Sequence, residues 1–131
     1  MSQPEFERAR AFLERADADL AAVRALEHDQ SVPDAIVGFH AQQTAEKLLK
    51  AVLAAHGIEF PRTHSLRYLI DTLVDHQLDP PKDVEALTAL YPFAVQLRYE
   101  APIDDEPFDR TAARDLLDRL RNWTTEQLPP T

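Results

Sequence analysis

The chain lacks cysteine altogether and contains only two glycines, Gly38 and Gly57, among its 131 residues. The absence of cysteine excludes a disulfide framework and a thiolate metal site. Tight hairpin turns usually need glycine, so its scarcity favours helices over strands and excludes Gly-rich phosphate loops. No apolar run approaches the roughly 20 residues that cross a bilayer, and the N-terminus has no apolar signal core. We therefore expect a soluble cytoplasmic protein without a membrane segment.

Basic residues are also few. The chain has 14 Lys and Arg residues against 23 Asp and Glu residues, a formal net charge of −9. A protein that coats nucleic acid through bulk electrostatics needs a basic surface, so this class is disfavoured. A local basic pocket within an acidic exterior stays possible. The length fits one domain, which we expect to span residues 1–131 with a core over about residues 4–127.

The hydrophobic pattern predicts five helices joined by short corners that proline marks. Ser2 and Glu5 have the spacing of a capping box, which opens a first helix over about residues 4–27. Pro33 suits the first turn of a long second helix, and Gly57 is typical of its end. The other three helices are expected to begin near Ser65, Asp79 and Asp109, the last of them ending near Gln127. Five helices with short corners form an up-and-down bundle, so the predicted fold class is all-α.

Each predicted helix carries apolar residues at three- and four-residue spacing, which is the pattern of an amphipathic helix. Pro92 lies inside the fourth helix, where we expect a kink or a break. The apolar lines, in helix order, are Phe6, Ala9, Leu13, Ala16, Leu20 and Val23; Val37, Ala41, Ala45, Leu48, Val52 and Ala55; Leu66, Leu69, Ile70, Leu73 and Val74; Val84, Leu87, Tyr91 and Ala94; and Ala113, Leu116, Leu117, Leu120 and Trp123.

The second helix has a polar face as well as an apolar one. At 100° per residue, His40, Gln43, Lys47 and Lys50 fall within a sector of about 80°, with Glu46 at its margin. One interpretation is a solvated face supported by pairs at i,i+4 spacing. The other is a surface that touches a second partner, because a helix with apolar packing on one side and mixed groups on the other often has two neighbours.

The histidines do not form a metal site by spacing, because no pair lies at i,i+4 and no carboxylate accompanies His40 or His64 at ligand spacing. We therefore expect no metal and no cofactor. His64 lies at a helix start, where a capping role is an alternative. Nucleophilic catalysis has no support either, since no Gly-x-Ser-x-Gly elbow is present and Ser65 lacks an evident base.

Arg98 extends the apolar line of the fourth helix and precedes Tyr99 and an acidic loop. A guanidinium on a core-facing line needs a carboxylate or a phosphate. Glu46, Asp104 or Asp105 could satisfy it within the chain, or a ligand could do so.

The stretch from Phe39 to Lys50, FHAQQTAEKLLK, strongly resembles the "hxQQAxEKxLKA" signature of HEPN domains, the nucleotide-binding domains of higher eukaryotes and prokaryotes. The likeness extends over roughly residues 6–125. It includes the Leu/Ala-rich first helix around residues 11–20, the Thr63-His64-Ser65-Leu66 helix start, and Arg98-Tyr99.

The resemblance implies a five-helix bundle, usually a homodimer, often paired with a minimal nucleotidyltransferase in a toxin–antitoxin system. Many HEPN proteins resemble one another in being metal-independent ribonucleases, with an Arg followed four to six residues later by a His at the dimer interface. Here no His follows Arg98, because the last one in the chain is His76. The resemblance and the polar face together predict a binding module for a nucleotide, a phosphate-bearing group, RNA or a partner protein. Its expected site residues are His40, Gln43, Glu46, Lys47, Lys50, His64, Arg98 and Tyr99.

The alternative is a divergent ribonuclease that uses Arg98 at the dimer groove. It requires His40 or His64 to replace the missing histidine in space.

Overall fold

The computed structural model describes residues 1–93 and 108–129. Within these residues the chain forms four α-helices and one 3₁₀ helix, and no strand. The elements are α1 (Gln3–Leu26), α2 (Asp34–Ala55), α3 (Leu66–Asp75), the 3₁₀ helix (Lys82–Leu90) and α4 (Arg110–Gln127). The predicted all-α helical bundle is confirmed, and its α-helix bounds agree with the predicted ones to within about two residues.

The start of α1 is set by its first residues. The Ser2 Oγ accepts from the Glu5 N–H at 3.2 Å, and the Glu5 carboxylate accepts from the Ser2 N–H at 3.2 Å, which is the predicted capping box. Most of the predicted apolar line is buried: Ala9, Leu13, Ala16, Leu20 and Val23.

α2 is the central helix. Sixteen of its 22 residues are buried, so it has neighbours on nearly every side. It packs against α1, α3, the 3₁₀ helix and α4. Gly57 ends it at φ +67°, with the Gly57 N–H bonded to Ala54 O and the Ile58 N–H bonded to Leu53 O. These two bonds form a Schellman motif, which is the role predicted for this glycine.

Arg110, in the first turn of α4, ties the connection between α1 and α2 to the rest of the bundle. Its guanidinium donates to the carbonyl oxygens of Leu26, Asp29 and Val32, and it pairs with Asp34. The side chain is only 10% exposed. Because the three carbonyls belong to the last turn of α1 and the connection after it, one side chain replaces the solvent that these backbone groups would otherwise need.

α3 has a narrower buried face than predicted. Leu66, Leu69, Ile70 and Leu73 are buried, but Val74 is 55% exposed, so its assignment to the core was wrong. At 100° per residue, Val74 lies about 90° from the centre of the other four. α3 makes its main contacts with α2 and the 3₁₀ helix, and Val74 lies away from the side of α3 that they cover.

The fourth element differs most from its prediction. It is a 3₁₀ helix, and residues 91–93 continue it in α-helical conformation. Tyr91, placed on the apolar line by an α-helical period, is 53% exposed, whereas Leu90 is buried. The reason is the period, because three residues per turn align every third residue instead of alternating three and four. Ala94, the last predicted position of this apolar line, lies outside the described residues. The kink or break expected at Pro92 stays a prediction, because the described part of this segment ends at Phe93.

Candidate functional site

The polar face of α2 is buried, so the interpretation as a solvated face was wrong. Gln43, Glu46 and Lys50 all belong to the buried set. Two contacts at the expected i,i+4 spacing are present: the Lys47 Nζ lies 2.7 Å from Gln43 Oε1, and the Lys50 Nζ lies 3.1 Å from Glu46 Oε2. These contacts are therefore internal contacts of the bundle, where a paired group is worth more than it is on a wet surface.

Asp19 of α1 holds two of the α2 side chains. One carboxylate oxygen lies 3.0 Å from His40 Nδ1, and the other lies 3.3 Å from Lys47 Nζ. An ionised carboxylate only accepts hydrogen bonds, so the Nδ1 of His40 must carry the proton. This contact therefore fixes the orientation of the imidazole. In the neutral ring Nε2 is then the nitrogen that can accept a hydrogen bond. The His40 side chain is 31% exposed.

Glu46 holds a second cluster of the same kind. Its Oε1 lies 2.8 Å from His64 Nδ1, and its Oε2 accepts from Lys50. The Glu46 side chain is 4% exposed and that of His64 is 53% exposed. A buried carboxylate thus orients an exposed imidazole while a lysine balances its charge, as Asp19 and Lys47 do for His40.

Gln42 and Gln43 join the two clusters. The Gln43 amide donates to Gln42 Oε1 at 2.7 Å, and the Gln42 amide donates to the His64 backbone oxygen at 3.0 Å. Gln42 also donates to Glu46 at 3.4 Å. The result is a continuous hydrogen-bonded set, the polar chain, made of His40, Asp19, Lys47, Gln43, Gln42, Glu46, Lys50 and His64.

The polar chain is balanced in charge when its histidines are neutral, with two carboxylates against two ammonium groups. The Lys50 ammonium also faces one aromatic ring, since its Nζ lies 5.8 Å from the centroid of Phe60. Arg8 covers Phe60 with its Cζ 4.9 Å from the centroid of the ring. Such contacts suit a desolvated cation. What the polar chain offers to a ligand or partner is therefore its two more exposed ends, the imidazoles of His40 and His64.

The six predicted site residues within the described ranges are all members of the polar chain. Arg98 and Tyr99 lie outside the described residues, and so do Asp104 and Asp105, two of the predicted partners of Arg98. The third predicted partner of Arg98 is Glu46, which is hydrogen-bonded to His64, Lys50 and Gln42.

Sequence reasoning missed Asp19 and Gln42. Asp19 is not among the apolar positions that the helical period marks on α1, and nothing in its local sequence indicates a contact with α2. Gln42 stands four residues before Glu46, a spacing that could have indicated the contact between them.

Within residues 1–93 and 108–129, no three His, Asp or Glu side chains lie together as a set that could hold a metal ion. None of the helices in that part of the chain is long and apolar enough to cross a membrane.

The fold and the site together define the class of protein. It is an all-α bundle whose central helix carries a buried polar chain with histidines at its ends. The family model described as "HEPN domain" matches residues 9–126, so the chain belongs to the HEPN family.

A solved structure, described as the "Crystal Structure of ST0689, an archaeal HEPN homologue", has the same fold. The two superpose with a TM-score of 0.68 at 25% sequence identity, over 92% of this chain and 98% of that one. A protein of Methanocaldococcus jannaschii named "Putative toxin MJ1304" is 41% identical over 54 residues, which are 41% of this chain. The match spans 34% of that protein's length.

Proposed function

We propose that this chain is a toxin-related HEPN binding module that acts as a homodimer together with a nucleotidyltransferase partner. The ligand or partner surface includes the two exposed imidazoles of the polar chain, His40 and His64, with Arg98 as the third group that the family resemblance implies. The nucleotide, phosphate-bearing group or partner protein is bound there and is not transformed. The family membership and the similarity to a protein named as a toxin support this role.

One observation carries the proposal. Lys47 and Lys50, the two lysines of the α2 signature, are each paired with a carboxylate inside the bundle. Breaking such a buried pair leaves an uncompensated charge, so these cations are not available for a phosphate. The two lysines of the signature therefore stabilise the scaffold, and recognition falls to the imidazoles of His40 and His64 at the ends of the polar chain.

Binding by the two imidazoles can be tested by thermal shift of the purified chain with AMP, ATP and GTP. We expect a nucleotide-dependent rise in Tm for the wild-type protein that His40→Ala and His64→Ala each reduce. His28→Ala is the matched control, because the His28 side chain is 79% exposed and lies outside the polar chain. Equal shifts in all four proteins would reject the role of the imidazoles.

Assembly is tested separately by light scattering at micromolar concentration and by co-expression with a nucleotidyltransferase encoded beside this gene. We expect a dimer and co-purification of the pair. A monomer that shows no thermal shift with any of the three nucleotides and leaves the nucleotidyltransferase behind would contradict the proposed function as a whole.

A second candidate function is a divergent ribonuclease. It is favoured by the orientation of the histidines, because an imidazole whose Nδ1–H is held by a carboxylate has the arrangement of a general base. In this version the Nε2 of His40 or His64 accepts the proton of a 2′-hydroxyl whose oxygen bonds to phosphorus. The bond from phosphorus to the 5′-oxygen breaks, the 5′-oxygen takes a proton from water, and Arg98 stabilises the charge on the phosphate. Cleavage of total RNA that is lost in Arg98→Ala and in one of the two histidine variants would establish it. The same background in every variant would reject it.

A further inference from the structure

The 3₁₀ helix from Lys82 to Leu90 is nine residues long. Such helices seldom exceed about four residues, because their hydrogen bonds are poorer than those of an α-helix. The i to i−3 pattern is clear at both ends, where the Val84 N–H lies 3.0 Å from Pro81 O and the Tyr91 N–H bonds Thr88 O. A 3₁₀ run of this length therefore calls for a specific stabilising contact.

The stabilising contact is a line of side chains at every third position. Val84, Leu87, Leu90 and Phe93 are all buried, at 3%, 1%, 4% and 8% exposure. Three residues per turn place Val84, Leu87 and Leu90 one above another, so the 3₁₀ helix turns these three toward the core, and Phe93 in the α-helical turn that follows is buried as well.

The same residues also fit an α-helix. At 3.6 residues per turn the line that begins with Val84 and Leu87 continues to Tyr91 in place of Leu90. Tyr91 is a large aromatic residue that the 3₁₀ register leaves 53% exposed. The segment thus has two registers that share Val84 and Leu87 as buried positions and differ in whether Leu90 or Tyr91 comes next.

Gly38 of α2 favours the 3₁₀ register. A Cβ at this position would lie 2.4 Å from atoms of the Phe93 ring, so the ring packs on the helix backbone only because residue 38 has no side chain. Glycine weakens a helix interior, and this close approach is a physical reason for it here. The ring of Phe108 lies on the ring of Phe93 with centroids 4.7 Å apart.

We infer that residues 82–93 are a two-register element. In the 3₁₀ register the Phe93 ring packs against the α2 backbone at Gly38, and Tyr91 is exposed. In the α register Tyr91 turns toward the core, while Leu90 and Phe93 leave it. Over the nine residues the difference of about 20° per residue amounts to about 180°, and the element shortens by about 4.5 Å. A change of that size is a conformational device, and it does not depend on the proposed binding role of the imidazoles.

Engineered cysteines can report the register, because the chain has none of its own. Leu90→Cys and Tyr91→Cys are made separately and their reaction rates with a maleimide are compared. We expect Leu90→Cys to react about 10- to 1,000-fold more slowly than Tyr91→Cys, which corresponds to an α register populated at about 0.1–10%. Val74→Cys gives the rate of an exposed site, and Leu87→Cys that of a site buried in both registers.

The Gly38→Ala background is the decisive test. The added methyl group displaces Phe93, so we expect the α register to gain population and the order of reactivity to reverse, with Leu90→Cys fast and Tyr91→Cys slow. Leu87→Cys should stay protected. An unchanged order in a folded Gly38→Ala protein overturns the inference, and equal fast reaction at residues 87, 90 and 91 overturns it too, because that result indicates local unfolding.

Phe93→Ala keeps the inference testable if Gly38→Ala does not fold. This substitution removes the ring that packs at Gly38 without adding an atom to α2. We expect the same reversal between residues 90 and 91, and retention of the wild-type order would contradict the two-register element.

Discussion

The Nδ1 of His64 lies 2.8 Å from the Oε1 of Glu46, and that carboxylate is almost fully buried while the imidazole is largely exposed. The contact joins the central helix to the connection that precedes α3. It also means that the carboxylate has two tasks, because it orients an exposed imidazole and neutralises Lys50. Loss of its charge should therefore disturb the lysine as well as the histidine.

Replacing Glu46 with Gln should destabilise the fold strongly. The change leaves the buried ammonium of Lys50 without its carboxylate, which typically costs about 3–5 kcal/mol. Denaturant unfolding at neutral pH measures the loss. The double variant Glu46→Gln/Lys50→Met should recover part of it, because it removes the uncompensated charge as well. A double variant no more stable than Glu46→Gln alone would mean that the ion pair is not the source of the effect.

Arg110→Ala should also be costly, although Arg110 does not belong to the polar chain. Its guanidinium donates to three backbone carbonyls and pairs with Asp34. Hydrogen bonds from a charged donor contribute about 1.5–3 kcal/mol each and are not additive, so we expect a loss of about 2–4 kcal/mol in the free energy of unfolding. Arg110→Lys should recover little of this stability, because an ammonium cannot reproduce the planar, forked set of donors of a guanidinium.

The matched control for Arg110 is Arg119→Ala. Arg119 pairs with Asp83 on an exposed surface, where the loss should be under about 1 kcal/mol. If the two variants lose the same stability, the connection between α1 and α2 does not depend on the guanidinium of Arg110.

Gln77→Gly should stabilise the protein. Gln77 follows α3 at φ +61° and forms a second Schellman motif, with the Leu78 N–H bonded to Leu73 O at 3.0 Å. A left-handed conformation costs a residue with a Cβ about 1–2 kcal/mol, and the greater freedom of glycine in the unfolded chain offsets part of that. We expect a gain of about 0.5–1 kcal/mol in thermal or chemical unfolding.

Asp75→Gly tests whether the effect at Gln77 is conformational. Asp75 is the last residue of α3, so glycine there should lower stability by up to about 1 kcal/mol. A gain at both positions would mean that glycine acts here through something other than the sign of φ.

Acid should weaken the contact between α1 and α4 through Asp118. Burial favours the neutral form of this carboxyl, but hydrogen bonds from Arg114 and Arg24 outweigh it and lower the pKa of Asp118 below its ordinary value of 3.8. A lowered pKa in the folded state contributes stability that is present above pH 3.8 and is lost as the pH falls through the folded value.

Urea unfolding of the wild-type protein and of Asp118→Asn should therefore differ at about pH 6, and the difference should shrink as the pH falls below 3.8, because the folded protein takes up this proton only below that ordinary value. A difference that stays constant over this range would show that the ionisation of Asp118 does not contribute.

The polar face of α2 illustrates how much of the site could be predicted. The helical period placed His40, Gln43, Lys47 and Lys50 on one side of the helix, and they do lie in one hydrogen-bonded set. It could not supply Asp19, because the docking of α1 on α2 is decided by packing over many residues and not by the local sequence. Without that carboxylate, the same side chains looked like a solvated face or an open groove.

The 3₁₀ helix is a second example of a feature that the local sequence could not predict. Val84 and Leu87 are common to both periods, so the sequence favoured the ordinary α-helix and placed Tyr91 in the core. Phe93 and Gly38 are 55 positions apart in the chain, and only their contact in three dimensions selects the 3₁₀ register.

The sequence by itself determined the all-α class, the helix ends at Ser2, Gly57 and Asp109, the apolar lines of α1 and α2, and the family signature. These depend on local physics, because caps, glycine conformations and helical periods act within a few residues. The tertiary structure alone decided that the signature is internal, that Asp19 and Glu46 balance its lysines, and that Leu90 rather than Tyr91 is buried. Those outcomes depend on which distant groups are brought into contact, where burial makes each unpaired charge and each overlapping atom costly.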